Sequence, residues 1–501
     1  MKKFIRKILG KLVLFALGDY ADGVIAIKEN QKCVMETTEE LKKITDRLCS
    51  QSESQTQTLQ YLTETLTDKS YWLDMVRQDT NVLKEVQEQL KVQSESQTQT
   101  LQYLTETLMD KSYWLDVLRS DVETQKISLR KMEIRLHENL YRKEVSNASV
   151  YQIVPVFKKG DAIGNHALFI DQVLRENHVP TQIYCEKNLS DRTDVKKIDE
   201  LGATTEKDII LLHMAAENRF ANLLDAYSAR KVMVYHNITP DRFFRGMDEM
   251  AEKSTKMGRQ QVKALQNVVD SCLADSQYNK QELEEMGYSV PIHVVPIPFS
   301  KETYAGAESL KVKEHICDGR KNLIFVGRVV PNKKFEDLIT SYQYYRDHYD
   351  ENCRLILVGS YSKQDRYYQS LQKMLRPQDD IIFTGHISTE EWITYYRYAH
   401  LFLCMSEHEG FCVPVIEAMS HQIPIVAFAS SAVGETLGDG GVLIKDKSPD
   451  TVAQEIHTVL SDEAFAQELR RRQLKNMERF SPERVSKQLI NIIKLIMEER
   501  E

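Results

Sequence analysis

The chain has 501 residues, 42% of them apolar and 28% charged, with a formal net charge of −8. That apolar share excludes a disordered chain, and the length is enough for several domains with separate cores. The acidic balance excludes a global basic field for nucleic acid, and eight cysteines without C-x-x-C spacing predict free thiols in a reducing cytosol and no structural zinc.

The start of the chain holds the one local charge excess. In "MKKFIRKILGKLVLFALGDYADGV" the basic residues crowd the first eleven positions, while Phe4, Ile5, Ile8, Leu9, Leu12 and Phe15 recur at helical spacing. This predicts a basic amphipathic helix over 1–30. Its apolar run from Leu12 to Leu17 is too short to span a bilayer, so the helix meets either a membrane surface or protein. The expected location is cytoplasmic, with peripheral attachment to the inner face of the cell membrane under the first alternative.

Residues 31–145 read as a coiled coil with an internal duplication. "QSESQTQTLQYLTETLTDKSYWLDMVR" at 51–77 returns 42 residues later with three changes, and 42 is six heptads. With Leu59 at position a, Leu62, Leu66, Leu73, Val76, Leu83, Leu90, Leu101, Leu104, Leu108, Leu115, Leu118, Val122, Leu129, Met132 and Leu136 all fall at a or d. A repeat that is a multiple of seven keeps this seam on one face. Lys69 and Lys111 at d and the polar "SESQTQT" segments weaken it, which leaves a hairpin of two helices as the alternative to one rod. Either way the segment is a spacer through which copies of the chain associate as a homo-oligomer.

From residue 149 short β-rich apolar runs alternate with helical segments, the pattern of an α/β protein with parallel sheets. Strands are expected at "VYQIVPV", "QIYCE", "IILLH", "KVMVYH", "VDSCLAD" and "IHVVPI", then at "NLIFVG", "CRLILVG", "DIIFTG", "HLFLCM", "PIVAFAS" and "GVLI". They divide into two doubly wound, Rossmann-like domains over 149–297 and 298–482, followed by a C-terminal helix over 483–501. In such sheets ligands bind beyond the carboxyl ends of the strands.

Those ends are chemically matched in the second domain. "NLIFVGRVVPNKKFEDLI" leaves its strand at Gly327 and Arg328 and then reaches Lys333 and Lys334. "LFLCM" leads into "SEHEGFCVPVIEAM", where Glu409 and Glu417 flank Gly410, Phe411, Cys412 and a proline suited to the first turn of a helix. Cations and a helix N-terminus suit the phosphates of a sugar nucleotide, and carboxylates suit its hydroxyls. No Asp-x-Asp or His-rich cluster offers to hold a metal.

The stretches "VGRVVPNKKFEDLI", "LILVGS", "IIFTGHIS" and "SEHEGFCVPVIEAMSHQIPIVAFASSAVGETLGDGGVLI" resemble the C-terminal domain of the GT-B glycosyltransferases of family four, whose signature is Glu-x7-Glu. The resemblance covers 149–500 and implies a retaining, metal-independent hexosyl transfer from a nucleotide-diphosphate sugar to a glycan or lipid-linked acceptor, with no cofactor. It implies that Arg328 and Lys333 bind the diphosphate, that Glu409 holds the transferred sugar with the amides of Gly410 and Phe411, and that Glu417 binds the ribose. Cys412 and Lys334 stand where the family more often has glycine, so which of the two lysines meets the phosphate stays open. In the first half "FKKGDAIGNHALFIDQVL" resembles the glycine-containing first loop, implying that Gly160, Asp161 and Gly164 approach the donor. "VMVYHNITP" ends a strand at His236, where the family often has a histidine near the sugar; His213 also ends a strand but lacks a motif. A GT-B sugar-nucleotide epimerase and a scaffold with an inactive transferase-like half are the alternatives, while the lysine-glycine donor loop of glycogen-type synthases is missing. Cell-surface polysaccharide assembly is the expected setting; the sugar, base and acceptor are not legible.

Overall fold

The computed structural model describes residues 123–138, 148–158, 161–300 and 306–498. The basic amphipathic helix expected over 1–30 and all of the coiled-coil segment before 123 lie outside the described residues, as does Gly160.

Two all-parallel sheets form the body. The first holds β1 (Val150–Phe157), β2 (Thr181–Asn188), β3 (Lys196–Lys197), β4 (Ile209–Met214), β5 (Arg230–Tyr235), β6 (Ser271–Ala274) and β7 (Ile292–Val294) in the order β3-β2-β1-β4-β5-β6-β7. The second holds β8 (Lys321–Val326), β9 (Cys353–Val358), β10 (Ile381–Gly385), β11 (Leu401–Cys404), β12 (Ile425–Phe428) and β13 (Val442–Ile444) in the order β10-β9-β8-β11-β12-β13. The central strands are continuous apolar runs because helices cover both faces: every residue of β4, β9 and β11 is buried. In each sheet the strand order reverses once, between β1 and β4 and between β8 and β11. Those switch points open a crevice at the carboxyl edge.

The last helix, Pro482–Glu498, belongs by packing to the first domain. Val485, Leu489, Ile490, Ile493 and Ile496 are buried in one cluster with Val150, Ile170, Leu211 and Val234. Each such side chain contributes about 1.5–3 kcal/mol relative to exposure, so this return crossing ties the two domains together. Among the described residues no helix is long and apolar enough to cross a membrane.

Residues 123–138 are helical and lie against the first domain through their last two turns. Ile134 is buried with Tyr184, Leu224 and Tyr227. The Glu138 carboxylate accepts the amides of Thr204 at 3.0 Å and Ser228 at 2.6 Å, together with both hydroxyls.

Candidate functional site

The carboxyl end of β8 is built by close backbone approach. Gly327 donates its amide to Val358 at 2.9 Å, and a Cβ on Gly359 would lie 1.9 Å from the Gly327 carbonyl, so only glycine fits at 359. Arg328 follows with an exposed side chain that meets no carboxylate among the described residues. A 3-10 turn, Pro331–Lys333, then ends at Lys334, whose backbone is left-handed with φ 55°.

That reversal separates the two lysines. Lys333 reaches inward, with Nζ 2.5 Å from Glu409 Oε1. Lys334 Nζ turns to Glu336 at 3.2 Å and Glu407 at 3.6 Å. Burial pulls the Lys333 ammonium down, but the Glu409 carboxylate beside it outweighs that, and its pKa is raised. The loops after β8 and β11 are pinned to each other: Asn332 donates its side-chain amide to the His408 carbonyl at 3.0 Å and accepts the Glu407 amide at 2.9 Å.

After β11 the chain makes an equally constrained turn. The Glu409 amide donates to Ser431 Oγ at 2.8 Å, and the Glu409 side chain is only 8% exposed with its residue. Cys412 caps the helix Val413–Ser420 with φ 71° and ψ 61°, a left-handed conformation that favours glycine. This is the physical reason a glycine is expected at both 334 and 412. The amides of Gly410, Phe411 and Cys412 meet no acceptor among the described residues, and they sit at the positive end of that helix. One and a half turns on, Glu417 Oε2 accepts the hydroxyl of buried Tyr396 at 2.7 Å, which fixes this second carboxylate.

The first domain meets this loop directly. A Cβ on Gly410 would lie 2.4 Å from Asn237 Cβ and 2.7 Å from the His236 carbonyl. Ser276 Oγ donates to the Gly410 carbonyl at 2.7 Å, and His408 Nε2 lies 2.6 Å from Asn237 Oδ1. Since Asn237 Nδ2 donates to Asn279 and Glu282, that Oδ1 must accept, and His408 Nε2 carries the proton. Glu435 spans the domains as well, accepting the amides of Gln277 at 2.8 Å and Tyr278 at 3.2 Å at the N-terminus of the helix Gln277–Glu285.

His236 stands where the sequence places it, at the end of β5, but its ring is fully engaged inside the protein. Nδ1 lies 2.8 Å from Asp275 Oδ2 and Nε2 lies 2.9 Å from His213 Nδ1. His213 Nε2 in turn lies 3.1 Å from Gln152 Oε1, whose amide is oriented by donating to the Ala167 carbonyl. His213 is therefore the inner member of this chain, and burial holds its pKa well down. His166 completes the cluster: burial brings its pKa to about 4, and Nδ1 is 3.8 Å from Asp275 Oδ1. Among the described residues His166, His236 and Asp275 are the one group with metal-ligand spacing, their ligand atoms lying within 4.8 Å of one another. Both nitrogens of His236 already have hydrogen-bond partners, so an ion there would have to displace one.

The loop after β1 has a more architectural arrangement than its resemblance implies. Asp161 accepts the Gly164 amide at 2.6 Å as the N-cap of the helix Ala162–Glu176, and a Cβ on Gly164 would lie 2.2 Å from the Lys158 carbonyl. Asp275, His166, Ser276, Glu435 and Tyr396 were not singled out from the sequence. Each acts through a partner on a distant element, which leaves no spacing to detect.

Residues 307–480 match the family model "Glycosyl transferases group 1". An uncharacterized glycosyltransferase of Methanocaldococcus jannaschii is 27% identical over 186 residues, 36% of this chain and 47% of that protein. O-antigen chain mannosyltransferase B of Escherichia coli is 27% identical over 173 residues, 34% of this chain and 45% of that protein. The chain thus spans just under half the length of these two relatives. Sucrose-phosphate synthase of Thermosynechococcus elongatus has a similar structure, with a TM-score of 0.54 at 14% identity over 70% of this chain and 99% of that one. That likeness shows the fold alone, a GT-B pair of Rossmann-like domains. The domain that carries Glu409 and Glu417 is a glycosyltransferase group 1 domain.

Proposed function

We propose that this chain, built around that domain, moves a hexosyl group with retained anomeric configuration from a nucleotide-diphosphate sugar to a glycan or lipid-linked acceptor. The observation that carries the reading is the Lys333–Glu409 pair, held between the ends of β8 and β11 at the switch point of the second sheet. Without donor, each partner neutralises the other. A donor entering the crevice replaces one contact by two, its diphosphate taking Lys333 and a sugar hydroxyl taking Glu409. Arg328, which meets no carboxylate among the described residues, adds a second cation for the phosphates.

In the reaction the bond from the sugar's anomeric carbon to the phosphate oxygen breaks, and a bond to the acceptor oxygen forms on the same face. The acceptor's proton passes to the departing phosphate. Lys333, Arg328 and the amides of Gly410 to Cys412 stabilise the negative charge that develops on the leaving group. Glu417, steadied by Tyr396, is the ribose ligand. His236 acts by position, because neither of its ring nitrogens is left over for proton transfer. The hydrogen bond from the Ser276 hydroxyl to the Gly410 carbonyl, which joins the two domains, keeps water from the donor while it is held.

Catalysis by this set needs no metal, since two cationic side chains carry the leaving-group charge. The setting is cell-surface polysaccharide assembly, a reading supported by the O-antigen transferase among the relatives. Copies associate through the heptads of 31–145, and the helix over 1–30 is the candidate contact with the cytoplasmic membrane face. A thermal-shift panel of nucleotide sugars, beginning with those of mannose, tests the donor claim. The expected result is stabilisation by one nucleotide sugar that is lost in Glu417→Ala. Stabilisation by none of them would leave the scaffold alternative, and interconversion of a bound sugar nucleotide without transfer would identify the epimerase.

A further inference from the structure

The helix over 123–138 has two working faces. Ile127, Lys131, Ile134 and Glu138 follow one another at spacings of four, three and four and form its inward stripe. Ile134 is 7% exposed and Glu138 6%, and Lys131 Nζ pairs with Asp225 at 2.8 Å. Leu129 and Leu136, the residues at heptad position a, are 39% and 42% exposed, and Met132 at d is 44% exposed. At 3.6 residues per turn the mean direction of these three lies roughly 160° around the helix from the inward stripe. Docking onto the first domain therefore uses positions c and f and turns the a/d seam outward. Leucines at position a are stabilising chiefly against another helix, and none of the described residues buries Leu129 or Leu136.

We propose that this outward seam is occupied by the same segment of a second copy of the chain, so that two or more catalytic bodies sit on one coil. It rests on the reading that copies associate, and it stands apart from the transferase reading. The occupant is chosen by phase. The seam of 129–136 continues the a/d pattern that begins at Leu59, without a skipped residue through both copies of the 42-residue duplication. A helix that supplies matching heptads is thus the chain itself. Folding back of the chain's own earlier heptads would need a tight reversal, and between Val24 and Val154 there is neither glycine nor proline to make one. The inward stripe also sets how the coil is carried. Glu138 collects the Thr204 and Ser228 donors, so the helix over 123–138 is seated on the first domain.

The test uses the full chain with Cys33, Cys49 and Cys317 replaced by serine. Leu129→Cys, Leu136→Cys and, as a control at position b, Arg130→Cys are oxidised separately, and native mass is measured by sedimentation equilibrium. The expected result is an oligomer in which Leu129→Cys and Leu136→Cys each form an interchain disulfide in most of the protein, with at least tenfold less for Arg130→Cys. An oligomer without cross-links at 129 and 136 would overturn this interface while leaving association through earlier heptads standing. A monomer would overturn both.

Discussion

At the left-handed position 412 a side chain is held in a conformation that costs on the order of 1–2 kcal/mol for any residue but glycine. Cys412 is buried at φ 71°, where a small unbranched side chain is the least costly departure. Cys412→Gly is expected to retain donor binding and turnover, whereas Cys412→Val should lower unfolding free energy by about 2 kcal/mol because a β-branched residue is excluded there. Chemical denaturation of both variants checks this. Arg328 presents the complementary case of an exposed charge that meets no carboxylate among the described residues. Arg328→Ala should leave stability within about 0.5 kcal/mol of the parent, yet lower kcat/KM by about 100-fold through lost transition-state stabilisation. Steady-state kinetics beside a melting curve separates the two effects. The buried imidazoles of His166 and His408, both brought to about 4 by burial first, add a pH dependence. Between their ordinary value near 6.5 and 4 the unfolded chain takes up protons that the folded chain refuses. Their stability contribution is thus complete above pH 6.5 and falls as pH is lowered. Each removes on the order of 2 kcal/mol by pH 5. Urea unfolding at pH 7 and pH 5 should show that loss, and His166→Asn should show a shallower one.

At the scale of elements, the strands were legible because parallel strands buried on both faces are unbroken apolar runs. "IILLH" and "CRLILVG" lie within a residue of β4 and β9. The two-residue β3, Lys196–Lys197, had no such signal: it is exposed and pairs with β2 through only two residues. The β8 and β11 loops could be read as one site because the charges follow their strands immediately. The histidine cluster could not, since Gln152, His166, His213, His236 and Asp275 come from four strands or their ends and one helix and share no spacing. The same holds for the clasp between domains. Glu435 lies in a five-residue helix, Val433–Leu437, and its role exists only where it meets the N-terminus of Gln277–Glu285. A carboxylate at such an end contributes about 1 kcal/mol. Glu435→Ala should therefore favour opening of the two domains, with a larger radius of gyration by small-angle scattering and a severalfold higher KM for the donor at nearly unchanged folding stability.

At the scale of the molecule, two folding units of one kind are joined twice, by the segment after β7 and by the return of Pro482–Glu498 onto the first sheet. This allows the domains to move as bodies about a crevice whose walls hold Lys333, Glu409 and Arg328 on one side and the His236 strand end on the other. The proposed reaction has these side chains, without a metal, transfer a sugar from a nucleotide donor. It is tested most directly by mass-spectrometric detection of glycosyl transfer, with excess EDTA throughout, by the wild-type chain and Glu409→Ala using the donor that the thermal-shift panel selects. The expected result is undiminished turnover of the wild type in EDTA and a loss of at least 100-fold in Glu409→Ala, in line with about 2.7–4 kcal/mol for one lost transition-state contact. Wild-type turnover that stops in EDTA and returns with Mg²⁺, or near-normal turnover by Glu409→Ala, would contradict it.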